Sequence, residues 1–339
     1  MLILYSLLLL VALAVILSGA ELFTNSLEHL GSRFKLSEGV VGSIFAAIAT
    51  ALPETVVPII AVFFGGADNH AGESVGVGAI LGSPLMLITL ALALVALFTG
   101  TRRGWQQPLR PEFSGLVRDL GYFLVAYLIA FLSLFSPKEP AVHAVAGAAL
   151  VFLYGYYVYN TVQASAALVK GGHGVQPDHP LHAARLGLTH SFGWELGQLV
   201  LALGLIIGGA KLFVMGVEAV ASLTGLSTLV LSLIVIPVAT EMPEKFNSIL
   251  WVRRGKDTLA FGNLTGAMVF QGTLLPAFGL QLATWKPDRD VVWTMGITLG
   301  MALWTLFLTL RRRLTPVSLL LNGAAYLLFL VLVLRSAGR

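Results

Sequence analysis

Apolar runs of about 20 residues recur along the chain, each closed by a short polar stretch, which is the length pattern of helices that cross a bilayer. The pattern predicts ten spans, near 2–24, 38–64, 73–98, 117–136, 140–163, 193–218, 227–251, 258–281, 291–310 and 315–334. The first run has no basic segment before it and no small-residue cleavage site after it, so it reads as a retained helix rather than a signal peptide. The longest polar stretch, 164–192, divides the chain into halves of five spans, 1–163 and 193–339. It carries His173, His179, His182 and His190, with Asp178 beside a pair of histidines three apart. Pro177 and Pro180 oppose a regular helix there, so a solvated linker is the expectation rather than a metal site.

The two halves are related. Shifting residues 19–54 by 190 places them on 209–244 without a gap. Gly19-Ala20 falls on Gly209-Ala210, Leu22-Phe23 on Leu212-Phe213, and Glu28 on Glu218. Ala49-Thr50 falls on Ala239-Thr240, and Pro53-Glu54 on Pro243-Glu244. Matched leucines are common in membrane helices, whereas matched threonine, proline and glutamate are not. Five is an odd number, so the second half must enter the membrane in the opposite sense. That is the signature of an inverted-repeat transporter with its site between the halves.

Composition sharpens this picture. Hydrophobic residues make up 57% of the 339 and charged residues 11%, too few charges for a soluble domain of this size. There is no cysteine, hence no disulfide and no thiolate site. Fourteen of the 21 Lys and Arg fall on one side of the predicted layout: Arg33 and Lys35, Arg102 to Arg118, Lys170 and Arg185, Arg253 to Lys256, and Arg311 to Arg313. That side is expected to be cytoplasmic, with both termini outside. The net charge of +4 therefore reports topology, not nucleic-acid binding. No HExxH helix, paired intramembrane aspartates or GxSG motif suggests an enzyme.

The chemistry concentrates at the repeated segment. Pro53 and Pro243 each lack an N–H, which deprives carbonyls near Ala49-Thr50 and Ala239-Thr240 of their usual partners. Such carbonyls are tolerated at membrane depth only where protein or a cavity satisfies them. Glu54 and Glu244 add formal negative charge, and an intramembrane carboxylate is a functional candidate by default. Carboxylates with carbonyls and hydroxyls make an all-oxygen cage suited to a hard cation such as Ca²⁺. Glu241 has three open readings, a third acidic ligand, a proton-carrying group in place of a Na⁺ site, or an i,i+4 partner of Lys245. Lys245 is either an influence on neighbouring carboxylates or a tethered cation. Glu21 and Lys211, at equivalent positions, are candidates for an ion pair across the repeats. Asp68, His70 and Glu73 read as a solvated outer turn, Glu195 beside Trp194 as an interfacial anchor, and Gly19, Gly208 and Gly209 as sites of close helix approach.

These residues resemble the sodium/calcium exchanger family of the cation/Ca²⁺ antiporter superfamily, in its ten-helix prokaryotic form. Its repeats carry a motif close to G-T-S-x-P-E followed by G-N-x-x-G-S-N. This chain has ATALPE at 49–54 and ATEMPE at 239–244, then GAILGSP at 78–84 and GNLTGAM at 262–268, the latter after RGKDTLAF at 254–261. The resemblance implies an all-α fold of two inverted five-helix repeats and alternating access, in which the first and sixth helices slide across the others. It implies cation ligands at Thr50, Glu54, Thr240 and Glu244, with Asn263 keeping an amide oxygen. Ala79 stands where the family has asparagine, Ala51 and Glu241 follow the threonines in place of serine, and Val75 and Leu259 replace serines. Several oxygens that resemble Na⁺ ligands are thus absent.

The expected function is exchange of Ca²⁺ for Na⁺ or H⁺, with no cofactor. The partners are the lipid bilayer and inorganic cations, and the protein is expected to work as a monomer in the cell's inner membrane. The alternatives are a cation/H⁺ exchanger of different selectivity, a channel using the same cage, or a degenerate cation-binding relative that does not transport.

Overall fold

A computed structural model describes residues 2–51, 80–136, 139–187, 191–224, 241–282, 287 and 289–337. With a short 3₁₀ helix at His182–Leu186 in the linker, the described residues form ten long helical segments in the order expected from the apolar runs. They are α1 (Leu2–Arg33), α2 (Glu38–Thr50), α3 (Ile80–Arg103), α4 (Phe113–Ser133), α5 (Pro140–His173), α6 (Phe192–Thr224), α7 (Met242–Arg253), α8 (Asp257–Leu282), α9 (Arg289–Leu310) and α10 (Pro316–Ala337). Seven of them have stretches long and apolar enough to cross a membrane.

The all-α fold is as expected, and several boundaries differ. Helix α1 runs to Arg33 rather than ending near residue 24, and α6 has 33 residues. At 1.5 Å per residue each is about 50 Å long, well beyond a hydrocarbon core of about 30 Å. Helices this long must tilt or run out along the interface. Helix α1 does so with a polar last third, where Asn25, Glu28 and His29 are buried against protein. The fifth helix likewise continues to His173, past the expected end of its span.

Helix α8 is the centre of the molecule. It packs on α2, α3, α4, α5 and α7. Surrounded by protein, it tolerates buried Asn263, Thr265, Gln271 and Thr273 that lipid would not. This is why α8 is not among the seven most apolar helices. It crosses α2 at very close range. A Cβ added to Gly266 would collide with the Ser43 backbone, and one on Gly262 would lie 3.0 Å from Ser43 Oγ. Gly262 and Gly266 are four apart, the small-xxx-small spacing that lets helix backbones meet. At the crossing, α2 takes a π-helical turn over Val41–Ala46.

Helices α1 and α6 pack antiparallel along most of their length. A Cβ on Gly19 would lie 2.9 Å from Ile206, and one on Gly209 would lie 2.8 Å from Ile16. Gly208 does not share this role, because nothing lies within 4 Å of its added Cβ. The pair is closed at one end by Arg33, whose Nε and Nη2 each reach Glu195 at 2.7 Å. Glu195 is wholly buried in that pair, so it is a helix–helix tie and not a free interfacial anchor.

The arginine-rich loops gather at this same end. Arg254 holds Glu21 at 2.5 Å, and His182 stands 3.4 Å from the same carboxylate. The expected Glu21–Lys211 pair is therefore not made; the loop arginine reaches Glu21 first, and Lys211 is exposed. Lys256 bridges Glu28 at 2.9 Å and Asp178 at 3.1 Å, while Trp251 Nε1 donates to Glu28 at 3.0 Å. Arg103 pairs with Asp257 at 2.7 Å. The linker is pinned rather than free. Val175 and Leu181 are buried, and the carbonyls of His179 and Pro180 accept hydrogen bonds from Asn25. Of the linker histidines, His182 reaches Glu21 of α1 through its ring and His179 reaches His29 of α1 through its carbonyl, at 2.9 Å. His190 lies outside the described residues, and among those described there is no metal cluster.

Candidate cation-binding site

Helix α2 ends at Thr50, three residues before Pro53. The last carbonyls of a helix have no intrahelical donor, so acceptors accumulate there. Helix α7 begins at Met242 with Glu241 as its capping residue and Pro243 in its first turn. A first-turn proline lacks only an N–H that would be unpaired anyway. Glu244 follows in the same turn, where the aligned amides favour negative charge. Pro243 thus marks a helix terminus at the site.

Asn263 of α8 links the two termini. Its Nδ2 donates to the Glu244 carbonyl at 3.1 Å and to Ser248 Oγ at 3.0 Å. Both amide hydrogens are used, which turns Oδ1 towards Thr50, 3.5 Å away. The Thr50 hydroxyl has one hydrogen, and the Ala46 carbonyl is nearer at 3.0 Å. That one hydrogen serves two acceptors, the Ala46 carbonyl and Asn263 Oδ1, so oxygens outnumber hydrogens at this point. Thr50 also lies within interacting range of Glu244. Among the described residues neither Glu244 oxygen has a hydrogen-bond donor within bonding geometry, although the residue is wholly buried. The site has more acceptors than donors, the opposite of a satisfied polar core.

Glu241 resolves towards the ion-pair reading. Its Oε2 takes Lys245 Nζ at 3.0 Å, with both side chains buried. Its Oε1 has no hydrogen bond among the described residues, and Ser83 of α3 lies close by. Among the sequence candidates the structure thus brings together Thr50, Glu244, Asn263 and the Glu241–Lys245 pair. Ala49 sits half-buried one residue before Thr50. Glu54, Ala239 and Thr240, with Pro53, Val75, Ala79 and the outer-turn residues Asp68, His70 and Glu73, lie outside the described residues. Leu259 is buried at the α2–α8 crossing, where its carbonyl lies 2.9 Å from a Cβ placed on Gly42. Among the described residues no three acidic or histidine side chains converge as a metal cluster. The oxygen set there relies on amide and hydroxyl groups beside a carboxylate.

Some polar residues went unrecognised in the sequence. Asp119 of α4 is buried and accepts from Ser43 Oγ at 2.6 Å, Thr265 Oγ1 at 2.8 Å and Tyr157 OH at 3.1 Å. It ties α2, α4, α5 and α8 together about two turns from Thr50. An aspartate inside an apolar run was the available signal. Asn247, one turn after Glu244, is wholly buried, and among the described residues neither of its side-chain polar atoms has a partner. Nearer the loops, Glu112 caps α4 by accepting from the Ser114 and Gly115 amides at 2.9 and 2.6 Å. Partial burial works against its ionised form, but those hydrogen bonds outweigh it and hold the carboxyl below its ordinary value.

A bundle of apolar helices around a buried, acceptor-rich site at two helix termini defines a multi-pass membrane transporter. The family model described as sodium/calcium exchanger protein matches residues 4–163 and 194–335, and the chain belongs to that family. It is similar to the putative antiporter CaxA of Alkalimonas amylolytica, at 26% identity over 94% of this chain and 97% of that protein. It is also similar to the inner membrane protein YrbG of Escherichia coli K12, at 25% identity over 88% of each. The sodium/calcium exchanger MaX1 of Methanosarcina acetivorans is 21% identical over 78% of this chain and 79% of its own length. Among solved structures, the sodium-calcium exchanger NCX_Mj superposes with a TM-score of 0.75 at 20% identity, covering 98% of this chain and 99% of that one. This likeness establishes the all-helical fold.

Proposed function

We propose that the protein is a secondary antiporter that exchanges Ca²⁺ for Na⁺ or H⁺ by alternating access at a site built on Glu244, Thr50 and Asn263. Glu54, Thr240 and the carbonyls of Ala49 and Ala239 complete the site by repeat equivalence. The two five-helix halves, 1–163 and 193–339, are inverted repeats joined by a cytoplasmic linker. The antiparallel packing of the equivalent helices α1 and α6 supports that reading. The loops gathered around Arg33, Arg103, Arg254 and Lys256 are cytoplasmic by their charge, so both termini lie outside an inner membrane. The protein works as a monomer, since its site lies within one chain.

The observation that carries this reading is the buried surplus of acceptors where α2, α7 and α8 meet. A carboxylate buried without donors is costly at membrane depth, and a hard cation removes that cost by direct coordination. The test is ⁴⁵Ca²⁺ uptake into proteoliposomes. Glu244→Gln and Glu54→Gln should each reduce uptake to the protein-free background. Wild-type rates from either variant would refute the carboxylate site.

A further inference from the structure

The Glu241–Lys245 pair sits in the least expected place for a salt bridge, one helical turn wide at the mouth of α7 and wholly inside the protein. Its N–O distance is 3.0 Å, and the side chains are 0% and 5% exposed. An i,i+4 pair on a helix surface is a minor stabiliser. This one is buried beside Glu244, whose two oxygens remain unpartnered among the described residues. A lysine ammonium is a compact point charge with three donors on a flexible stem, close in size and charge to a coordinated monovalent ion. Charge counting gives the pair a meaning. Glu241 and Lys245 sum to zero, so the net charge that the site offers a mobile ion is that of the other carboxylates alone.

We propose that Lys245 is a tethered counter-cation: its ammonium stands where a mobile monovalent ion would otherwise be bound by Glu241, and it travels through every transport cycle with the protein. The inference rests on the antiport reading and deepens it, since it assigns Lys245 as the residue that sets how many monovalent ions the site demands. With the ammonium in place, the divalent ion binds to a site free of surplus negative charge. Without it, Glu241 is an uncompensated buried carboxylate and recruits a cation from solution. The contrary reading is a helix-stabilising pair with no influence on ion demand.

The test uses the full chain, purified and reconstituted, as wild type, Glu241→Gln, Lys245→Met and the double substitution. Ca²⁺ affinity is measured by titration calorimetry, and ⁴⁵Ca²⁺–Ca²⁺ self-exchange is measured with and without Na⁺ or K⁺ on both sides. Glu241→Gln leaves the ammonium unpaired beside Glu244 and should weaken Ca²⁺ binding at least about tenfold. The double substitution restores the charge balance and should return affinity to within about threefold of wild type. Lys245→Met should acquire a saturable stimulation by Na⁺ or K⁺ that wild type lacks. Melting temperatures without divalent ions separate folding from binding, and the Lys245→Met arm decides the matter if Glu241→Gln does not fold. A double variant as weak as Glu241→Gln, or Lys245→Met exchange indifferent to monovalent ions, would overturn the inference. Wild-type protein that binds no divalent cation would overturn the antiport reading and the inference with it.

Discussion

At the residue scale, the central fact is a mismatch between donors and acceptors. Asn263 spends both amide hydrogens on Glu244 and Ser248, and the single Thr50 hydroxyl hydrogen is shared between the Ala46 carbonyl and Asn263 Oδ1. Acceptors there outnumber hydrogens, beside a carboxylate with no hydrogen-bond partner among the described residues. Thr50→Val keeps the side-chain volume and removes one oxygen. It should weaken Ca²⁺ binding by roughly 1.4 kcal/mol, a tenfold rise in Kd by calorimetry. An unchanged Kd would remove Thr50 from the site. Glu244 and Thr50 stood out in the sequence because polar residues at repeated places in apolar segments have few structural excuses, whereas Asn263 stood out only through the family motif, since Ala79 is its counterpart. Asp119 was not, because it has no repeat partner and its three hydroxyl donors come from helices far apart in sequence. The Glu21–Lys211 pair failed for a related reason. Equivalence under the repeat says which residues correspond, but not which loop arrives between them, and Arg254 does.

At the scale of the element, the helices' number and order followed from hydrophobic run length, while their ends did not. Helix α1 was expected to stop near residue 24 because its last turns are polar. It continues because Asn25, Glu28 and His29 are buried against α6, α7 and the linker rather than exposed to lipid. Close approach was readable only in part. Gly19 and Gly209 lie on the α1–α6 face and Gly208 lies off it, a distinction set by the rotation of the helix. Gly209→Leu should therefore overpack that face and destabilise the protein by about 1–3 kcal/mol, seen as a lower melting temperature in detergent. Gly208→Ala should leave the melting temperature within a degree or two. Equal effects of the two substitutions would show that α1 and α6 do not meet as described.

At the scale of the whole molecule, the basic loops gather at one end of the bundle, where Arg33, Arg103, Arg254 and Lys256 make ion pairs. The chain contains no cysteine, so single-cysteine reporters carry no background. Arg313→Cys should react with a membrane-impermeant thiol reagent only from the cytoplasmic side, and Arg335→Cys only from outside. The reverse pattern would invert the topology drawn from the basic loops. At this scale the sequence is most informative, since ten spans, a repeat and a charge asymmetry agree without reference to any side-chain contact. The choice of counter-ion lies beyond what those patterns encode. The most direct measurement is ⁴⁵Ca²⁺ uptake by wild-type and Glu244→Gln proteoliposomes under an imposed outward Na⁺ gradient and, separately, an outward H⁺ gradient. The account predicts that at least one gradient drives wild-type uptake above the no-gradient level, and that neither drives uptake through Glu244→Gln. Wild-type uptake indifferent to both gradients, or a Glu244→Gln variant that responds as wild type does, would contradict it.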